Sequence, residues 1–351
     1  EILQIINHIG LYSDNLFVIT IFSLPIVIFF EINKIKKFLS IIFIPSIVLS
    51  LFIYGNYKVN KNKTILESTK EKIYVKIISP NFDLKYGLSF GEIEARFKKL
   101  IRYSDPNKNK KTLFIWPEGV FSGYRYDQIS IFKELILENF SNKHYIIFGS
   151  NKLDPLSGNL FNSMLVVNNS FDIIQSYNKR KLVPFGEFLP YENLLNKFGL
   201  KKITEGHGSF LKGQDENNLI IDKLNILPLI CYEVIFSDLV QKSNENTNLI
   251  VNISEDGWFG NSIGPDQHFA KSIFRAIESN TFLLRSTNQG VSAVIDNKGN
   301  IIRELKRNEA GNIEYEVPLM KSNKIKNDLI FFILLITYLL FFLIYKKQNA
   351  K

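Results

Sequence analysis

The sequence predicts an α/β domain of about 270 residues carried between membrane-spanning helices. Three observations point there. Uncharged apolar runs lie near both ends, at Leu16–Phe30, Phe38–Tyr54 and Leu329–Tyr345. Between them, short β-branched runs alternate with helical patterns, as in α/β domains with buried strands. The composition, 46% hydrophobic and 22% charged, is too apolar for a disordered chain.

A spanning helix needs about 20 apolar residues, with about 17 as the lower bound. The second and third runs reach that bound, and the first does so by extending back to Leu11 past Asp14. Pro25 and Pro45 do not count against helices in a membrane. Lys34, Lys36 and Lys37 sit in the short loop between the first two runs, and Lys346, Lys347 and Lys351 follow the third. Basic short loops stay cytoplasmic, so the long middle segment is expected on the opposite side, the periplasm of a bacterium. Lysines at its flanks (Lys58, Lys61, Lys63, Lys321, Lys324, Lys326) do not decide the matter, because long domains cross largely regardless of charge. The expected division is therefore 1–57 as a membrane region, 58–328 as the periplasmic domain, and 329–351 as a last span with a basic tail. The chain opens on Glu1 without a signal-peptide pattern, which reads as a fragment whose beginning is missing.

Within the middle segment, strands are expected at Tyr74–Ser79, Thr112–Trp116, Tyr145–Gly149, Ser163–Val167, Ile226–Ile230, Leu249–Ile253, Phe282–Ser286 and Val291–Ile295. Helices are expected at Phe90–Tyr103, Gln128–Phe140, Val234–Gln241 and Gln267–Ser279. The formal charge of +9 is spread along the chain and gathers beside the apolar runs, which favours a membrane surface over nucleic acid as partner. The single cysteine excludes an intrachain disulfide and any multi-cysteine metal site. Four scattered histidines (His8, His144, His207, His268) suggest no metal, and no phosphate-binding or nucleotide motif occurs, so no cofactor is expected.

Three segments hold candidate chemistry. Cys231 ends the apolar run Ile226-Leu-Pro-Leu-Ile-Cys231, at the strand end where α/β folds hold reactive groups rigidly. A lone cysteine is more often a small buried hydrophobe, so it needs particular neighbours to act. Glu118 follows the strand Thr112–Trp116 through a proline, in position either for a general base or for an ordinary turn acid. Tyr177-Asn-Lys179-Arg-Lys181 offers a lysine to favour a thiolate and an oxyanion, or else a solvated basic turn.

The order strand–Glu, Tyr-x-Lys, strand–Cys-Tyr-Glu resembles the nitrilase superfamily, which implies an α-β-β-α sandwich. Leu182-Val-Pro-Phe-Gly-Glu187-Phe-Leu-Pro190, Ile230-Cys-Tyr-Glu-Val-Ile-Phe236, Asp256-Gly-Trp-Phe-Gly-Asn-Ser-Ile-Gly-Pro265 with Gln267-His268, Arg275-Ala-Ile-Glu278 and Leu284-Arg-Ser-Thr-Asn-Gln-Gly-Val-Ser292 are similar to the apolipoprotein N-acyltransferases. That resemblance implies Cys231 as nucleophile, Glu118 as general base and Lys179 as oxyanion-stabilising cation, Lys179 being preferred to Lys181 because it stands two residues after Tyr177. It implies Glu187 and Glu233 as further active-site acids, with Tyr232 beside the nucleophile. It also implies phosphatidylethanolamine or another phospholipid as acyl donor, a diacylglyceryl-cysteine apolipoprotein as acceptor, and a multi-pass protein of the bacterial inner membrane. The alternative is a membrane-tethered amidase using the same three residues on a small amide. Two departures stand out: the usual Ser-Asn-Asp reads Ser254-Glu255-Asp256, and the usual arginine before Leu284 is replaced around Thr281. Neither is expected to touch Glu118, Lys179 or Cys231. The stretch around Trp258, Phe259 and Gly260 is expected either to contact lipid as a loop or to pack into the core.

Overall fold

The computed structural model describes residues 1–23, 25–26, 34–191, 209–214, 218–241, 244–320 and 328–349. They fall into two compact units: Glu1–Ser68 with Ile277–Asn280 and Asn323–Lys351, and Thr69–Ala276 with Thr281–Ser322.

The first unit holds α1 (Ile6–Ser23), which is kinked at Gly10 where φ is +76°, α2 (Lys34–Ser68) and the C-terminal helix Asp328–Asn349. The stretches Ile2–Ser23 and Ile41–Ser68 are long and apolar enough to cross a membrane, while the apolar stretch within the C-terminal helix, Leu329–Ile344, is shorter. Tyr12 meets Phe331 with ring centroids 6.1 Å apart, and the Thr20 and Tyr338 hydroxyls are in contact. Most of the described apolar side chains of α2 are exposed, among them Phe38, Phe43, Leu49, Phe52 and Ile53. Two expectations need correction. The basic segment expected as a loop enters α2 at Lys34, so Lys34, Lys36 and Lys37 form its first turns. The helix then runs on to Ser68, past the boundary drawn at residue 57. Residues 24 and 27–30 of the first apolar run, His207, Lys321, Lys324, Lys326 and Lys351 lie outside the described residues.

The second unit is a four-layer sandwich. Its strands are β1 (Lys72–Ser79), β2 (Thr112–Ile115), β3 (His144–Leu153), β4 (Leu160–Val167), β5 (Ile173–Asn178), β6 (Leu219–Ile221), β7 (Leu224–Ile230), β8 (Leu249–Glu255), β9 (Leu283–Asn288), β10 (Ser292–Ile295), β11 (Ile301–Leu305) and β12 (Gly311–Pro318). One sheet has the order β12-β1-β2-β3-β4-β5, and the other β11-β10-β9-β8-β7-β6. Three parallel strands sit inside each sheet, β1-β2-β3 and β7-β8-β9, flanked by antiparallel ones.

Helices α3 (Phe90–Ser104), α4 (Tyr126–Ile129) and α5 (Lys133–Asn139) cover the first sheet through an aromatic-rich layer that includes Phe97, Phe114, Trp116 and Phe148. On the other sheet, α6 (Ser237–Gln241) and α7 (Gly264–Ser279) pack through Leu239, Val240 and Ala276. The two sheets meet face to face, where the Ser286 hydroxyl bonds the carbonyls of Ile78 (2.8 Å) and Ile115 (3.1 Å). This is the α-β-β-α arrangement that the resemblance implied. Two expected helices are broken. Gln128–Phe140 becomes α4, a 3₁₀ turn (Ser130–Phe132) and α5, while Val234–Gln241 becomes a 3₁₀ turn (Cys231–Ile235) and α6. The four strands absent from the expectation, β5, β6, β11 and β12, are the four sheet edges.

Candidate active site

Carboxyl ends of inner strands converge on one cavity. Glu118 follows β2, Cys231 follows β7, Glu255 ends β8, and Lys179 follows the edge strand β5. The cavity has a volume of about 360 Å³, and Glu118, Lys179, Glu187, Cys231, Tyr232 and Glu255 all line it. Its apolar wall includes Phe121, Val183, Phe210, Trp258 and Phe259.

The Glu118 turn is shaped by two glycines. Gly119 adopts φ +75°, and a Cβ there would lie 2.8 Å from Glu255 Oε2. A Cβ on Gly149 would lie 2.9 Å from the Glu118 Cα, so only glycine lets β3 pass so close. Lys179 is clamped by its backbone: its N–H donates to the Asn162 carbonyl and its carbonyl accepts from Gly213, both at 2.8 Å. Cys231 sits at φ +50°, a left-handed conformation disfavoured for any residue with a Cβ, at the sharp turn from β7 into the 3₁₀ helix. Such strain is typical of sites where a side chain must be aimed.

Lys179 Nζ donates to Glu187 Oε1 at 2.8 Å and lies 3.9 Å from Glu118 Oε1. The Asn162 amide nitrogen donates to both carboxylates, at 2.7 Å to Glu118 and 2.8 Å to Glu187. Glu187 Oε2 accepts from the Val183 N–H at 2.8 Å, and Glu118 Oε2 from the Glu255 N–H at 3.2 Å. Burial would lower the lysine's pKa, but Glu187 and then Glu118 outweigh it and hold the ammonium charged. Burial, reinforced by Glu187, raises the Glu118 carboxyl, with Lys179 and Asn162 opposing. Burial and then Glu118 push the Cys231 thiol up, while Lys179 pulls it down. At rest the thiol therefore keeps its proton, and in its ionised form Glu118 is a group able to accept that proton, with the Lys179 ammonium able to steady a negative charge formed in the same cavity.

Glu233, expected as an active-site acid, is fully buried and turned away from the cavity. Its Oε1 accepts from the Tyr177 hydroxyl (2.8 Å) and the Arg180 and Lys181 N–H groups (2.7 and 3.0 Å), and its Oε2 from the Ile230 N–H (2.9 Å). It thus ties the lysine segment to the cysteine strand. Lys181 points outward to Asp238 at 2.9 Å. Trp258 is 47% exposed while lining the cavity, so it forms a lip and not core packing.

Asn162 was missed in the sequence, because an asparagine in Leu160-Phe-Asn-Ser-Met164 carries no signal until β4 is set beside Glu118 and Glu187. The expectation for Glu255 is corrected: it does touch the candidate residues. Its N–H bonds Glu118, its carboxylate accepts from Asn288 Nδ2 (2.7 Å) and Gly257 N–H (2.9 Å), and burial pushes it up to about 8. No group of three or more histidine, cysteine or acidic side chains could hold a metal among the described residues.

Comparison with known proteins gives a consistent picture. The carbon-nitrogen hydrolase family matches residues 87–327. The chain is 30% identical over 329 residues to the apolipoprotein N-acyltransferase of Rhodopseudomonas palustris, covering 90% of this chain and 61% of that one. It is 31% identical over 327 residues to the apolipoprotein N-acyltransferase of Rickettsia prowazekii, covering 90% and 63%. The chain thus spans less than two thirds of the length of these relatives. Among solved structures, the nitrilase-superfamily protein Nit3 of Saccharomyces cerevisiae has a TM-score of 0.52 at 17% identity, over 71% of this chain and 91% of that one. A carbon-nitrogen hydrolase from Helicobacter pylori has a TM-score of 0.53 at 13% identity, over 70% and 89%. At these identities the two structures speak for the fold alone.

Proposed function

Because the chain belongs to the carbon–nitrogen hydrolase family, we propose that it performs the acyl transfer for which its relatives are named. In this reading an acyl chain moves from a membrane phospholipid, phosphatidylethanolamine for example, to the N-terminal amine of a diacylglyceryl-cysteine lipoprotein. The observation that supports it best is the single cavity where Glu118, Lys179 and Cys231 meet an aromatic wall suited to an acyl chain.

In the first half-reaction Glu118 takes the thiol proton as Cys231 Sγ attacks the ester carbonyl. Lys179 Nζ steadies the oxyanion of the tetrahedral intermediate. Glu118 returns the proton to the departing lysophospholipid oxygen, and a thioester remains. In the second, the lipoprotein amine attacks the thioester carbonyl, Glu118 takes a proton from the nitrogen, and an amide forms as the protonated thiol leaves. Splitting the transfer lets two bulky substrates use one cavity in turn. Glu187 holds the lysine in place, and Tyr232 flanks the nucleophile. The apolar helices would carry the domain on the periplasmic face of a bacterial inner membrane, with Lys34, Lys36, Lys37, Lys346 and Lys347 on the cytoplasmic side.

The test supplies a phospholipid with a labelled acyl chain together with a diacylglyceryl-cysteinyl peptide. Labelled amide should appear on the peptide with a free amine and not on its N-acetylated form. Rapid release of labelled fatty acid without any amine would replace the transferase by a hydrolase.

A further inference from the structure

Behind the nucleophile lies a polar chain that the acyl-transfer steps do not use. His268 on α7 faces the Cys231 carbonyl through Nε2 at 3.0 Å; a carbonyl only accepts, so Nε2 carries the hydrogen. Its Nδ1 lies 3.0 Å from Asp256 Oδ1 and 3.1 Å from Arg285 Nη2. Arg285 Nη2 donates to Asp256 Oδ2 at 2.8 Å, and Nη1 donates to Asn252 Oδ1, whose amide nitrogen in turn reaches the Leu229 carbonyl of β7 at 2.9 Å. The Ser254 hydroxyl donates to Asp256 Oδ1 at 2.7 Å.

His268, Asp256 and Arg285 are each at most 5% exposed. A buried ion pair adds little to stability compared with apolar packing, so its presence calls for another role. This one ends on the carbonyl of the residue whose left-handed φ the site must maintain. The N–H before Cys231, that of Ile230, is already held by Glu233. The cysteine turn is therefore gripped on both sides, by Glu233 in front and His268 behind.

We propose that His268, oriented by Asp256 and Arg285, is a positioning residue for the nucleophile: it holds the Cys231 carbonyl and so keeps the turn that aims the thiol at Glu118 and Lys179. This deepens the acyl-transfer reading and rests on Cys231 being the nucleophile. Without that grip the turn can relax and swing the thiol away, although cavity and lipid contacts remain.

The experiment uses the full chain in detergent. Cys231 is the only cysteine, so its alkylation by iodoacetamide can be followed by intact mass, and thioester formation can be measured against phospholipid concentration. His268→Phe keeps the ring beside Phe259 but removes the donor; His268→Gln keeps an amide N–H near the same place. His268→Phe should slow alkylation and the maximal rate of thioester formation roughly 10- to 100-fold, the loss typical for removing one buried hydrogen bond, with the half-saturating phospholipid concentration nearly unchanged. His268→Gln should recover most of that rate. A merely structural role would lower the folded fraction without changing the rate of the folded molecules, and glutamine would bring no rescue. Alkylation in His268→Phe within twofold of the parent, or equal losses in both variants, would overturn the proposal. Should His268→Phe not fold, Asp256→Asn decides: a several-fold loss supports the proposal and an unchanged rate overturns it. Because alkylation needs no lipid, it separates this inference from the acyltransferase reading, which fails instead if the parent alkylates normally but never forms a thioester.

Discussion

Replacing Asn162 by leucine should disable the site while leaving the sandwich intact. The side chains are nearly the same size, and the backbone bond from the Lys179 N–H to the residue 162 carbonyl survives the change. Two hydrogen bonds to carboxylates disappear, the 2.7 Å bond to Glu118 and the 2.8 Å bond to Glu187. Bonds to charged groups are worth about 1.5–3 kcal/mol each. Water entering the cavity offsets part of the pair, leaving about 3 kcal/mol, or roughly two powers of ten in rate. Each carboxylate would keep its backbone donor, but Lys179 would be the side chain left between them, and it lies nearer Glu187 than Glu118. The Asn162 bond helps hold the Glu118 pKa down, so its loss pushes that carboxyl further up. A base must be deprotonated to act, so the acid limb of the pH–rate profile should move to higher pH. The assay is thioester formation from labelled phospholipid between pH 5 and 9, with Asn162→Asp as a companion that adds a third carboxylate and should move the limb further. A rate within threefold of the parent and an unmoved limb would refute the bridging role of this amide.

Lys179→Ala should cost about 100- to 1,000-fold in acyl transfer, whereas Lys181→Ala loses a partly exposed ion pair with Asp238 and a cation–π contact with Phe236, both away from the cavity, and should stay within a few-fold; the reverse order would show that the wrong lysine was chosen. Burial raises Glu255 from 4.5 to about 8, so between those pH values the folded chain keeps a proton that the unfolded chain releases. Its contribution to stability is full below about pH 4.5 and is lost as pH rises through about 8. Glu255→Gln should therefore flatten the decline in denaturation midpoint between pH 6 and 9, and gain on the parent by a few kcal/mol at the top of that range (~1.4 kcal/mol per unit at most). A parent that gains on the variant with rising pH would contradict this. For topology, in a Cys231→Ser background, Lys63→Cys should react with an impermeant thiol reagent in intact spheroplasts, and Lys347→Cys only after permeabilisation; the opposite pattern would overturn the orientation argued from the basic segments.

The eight inner strands are legible in the sequence because both their faces are buried, which leaves near-continuous apolar runs such as Ile226–Ile230 and Leu249–Ile253. The four edge strands are not. Ile301–Leu305 reads Ile-Ile-Arg-Glu-Leu and Gly311–Pro318 alternates polar with apolar, since an edge needs only one packed face. The candidate site divides the same way. Glu118 and Cys231 stand at the ends of legible inner strands. Lys179 follows an edge strand and emerges only through its resemblance to a known pattern. Asn162, and the contact between Glu255 and Glu118, depend on long-range pairing that no local pattern carries. Glu233 shows the converse: its place two residues after Cys231 suggests chemistry, but four donors aimed at its carboxylate make it a brace.

The most direct measurement is the intact mass of the purified chain after exposure to a phospholipid of defined acyl composition, before and after hydroxylamine. The parent should gain the mass of one acyl group, lose it to hydroxylamine as a thioester does, and map it to Cys231, while Cys231→Ala gains nothing. An unmodified parent that nonetheless transfers acyl chains, or an adduct that persists in Cys231→Ala, would contradict a thioester on Cys231 as the intermediate.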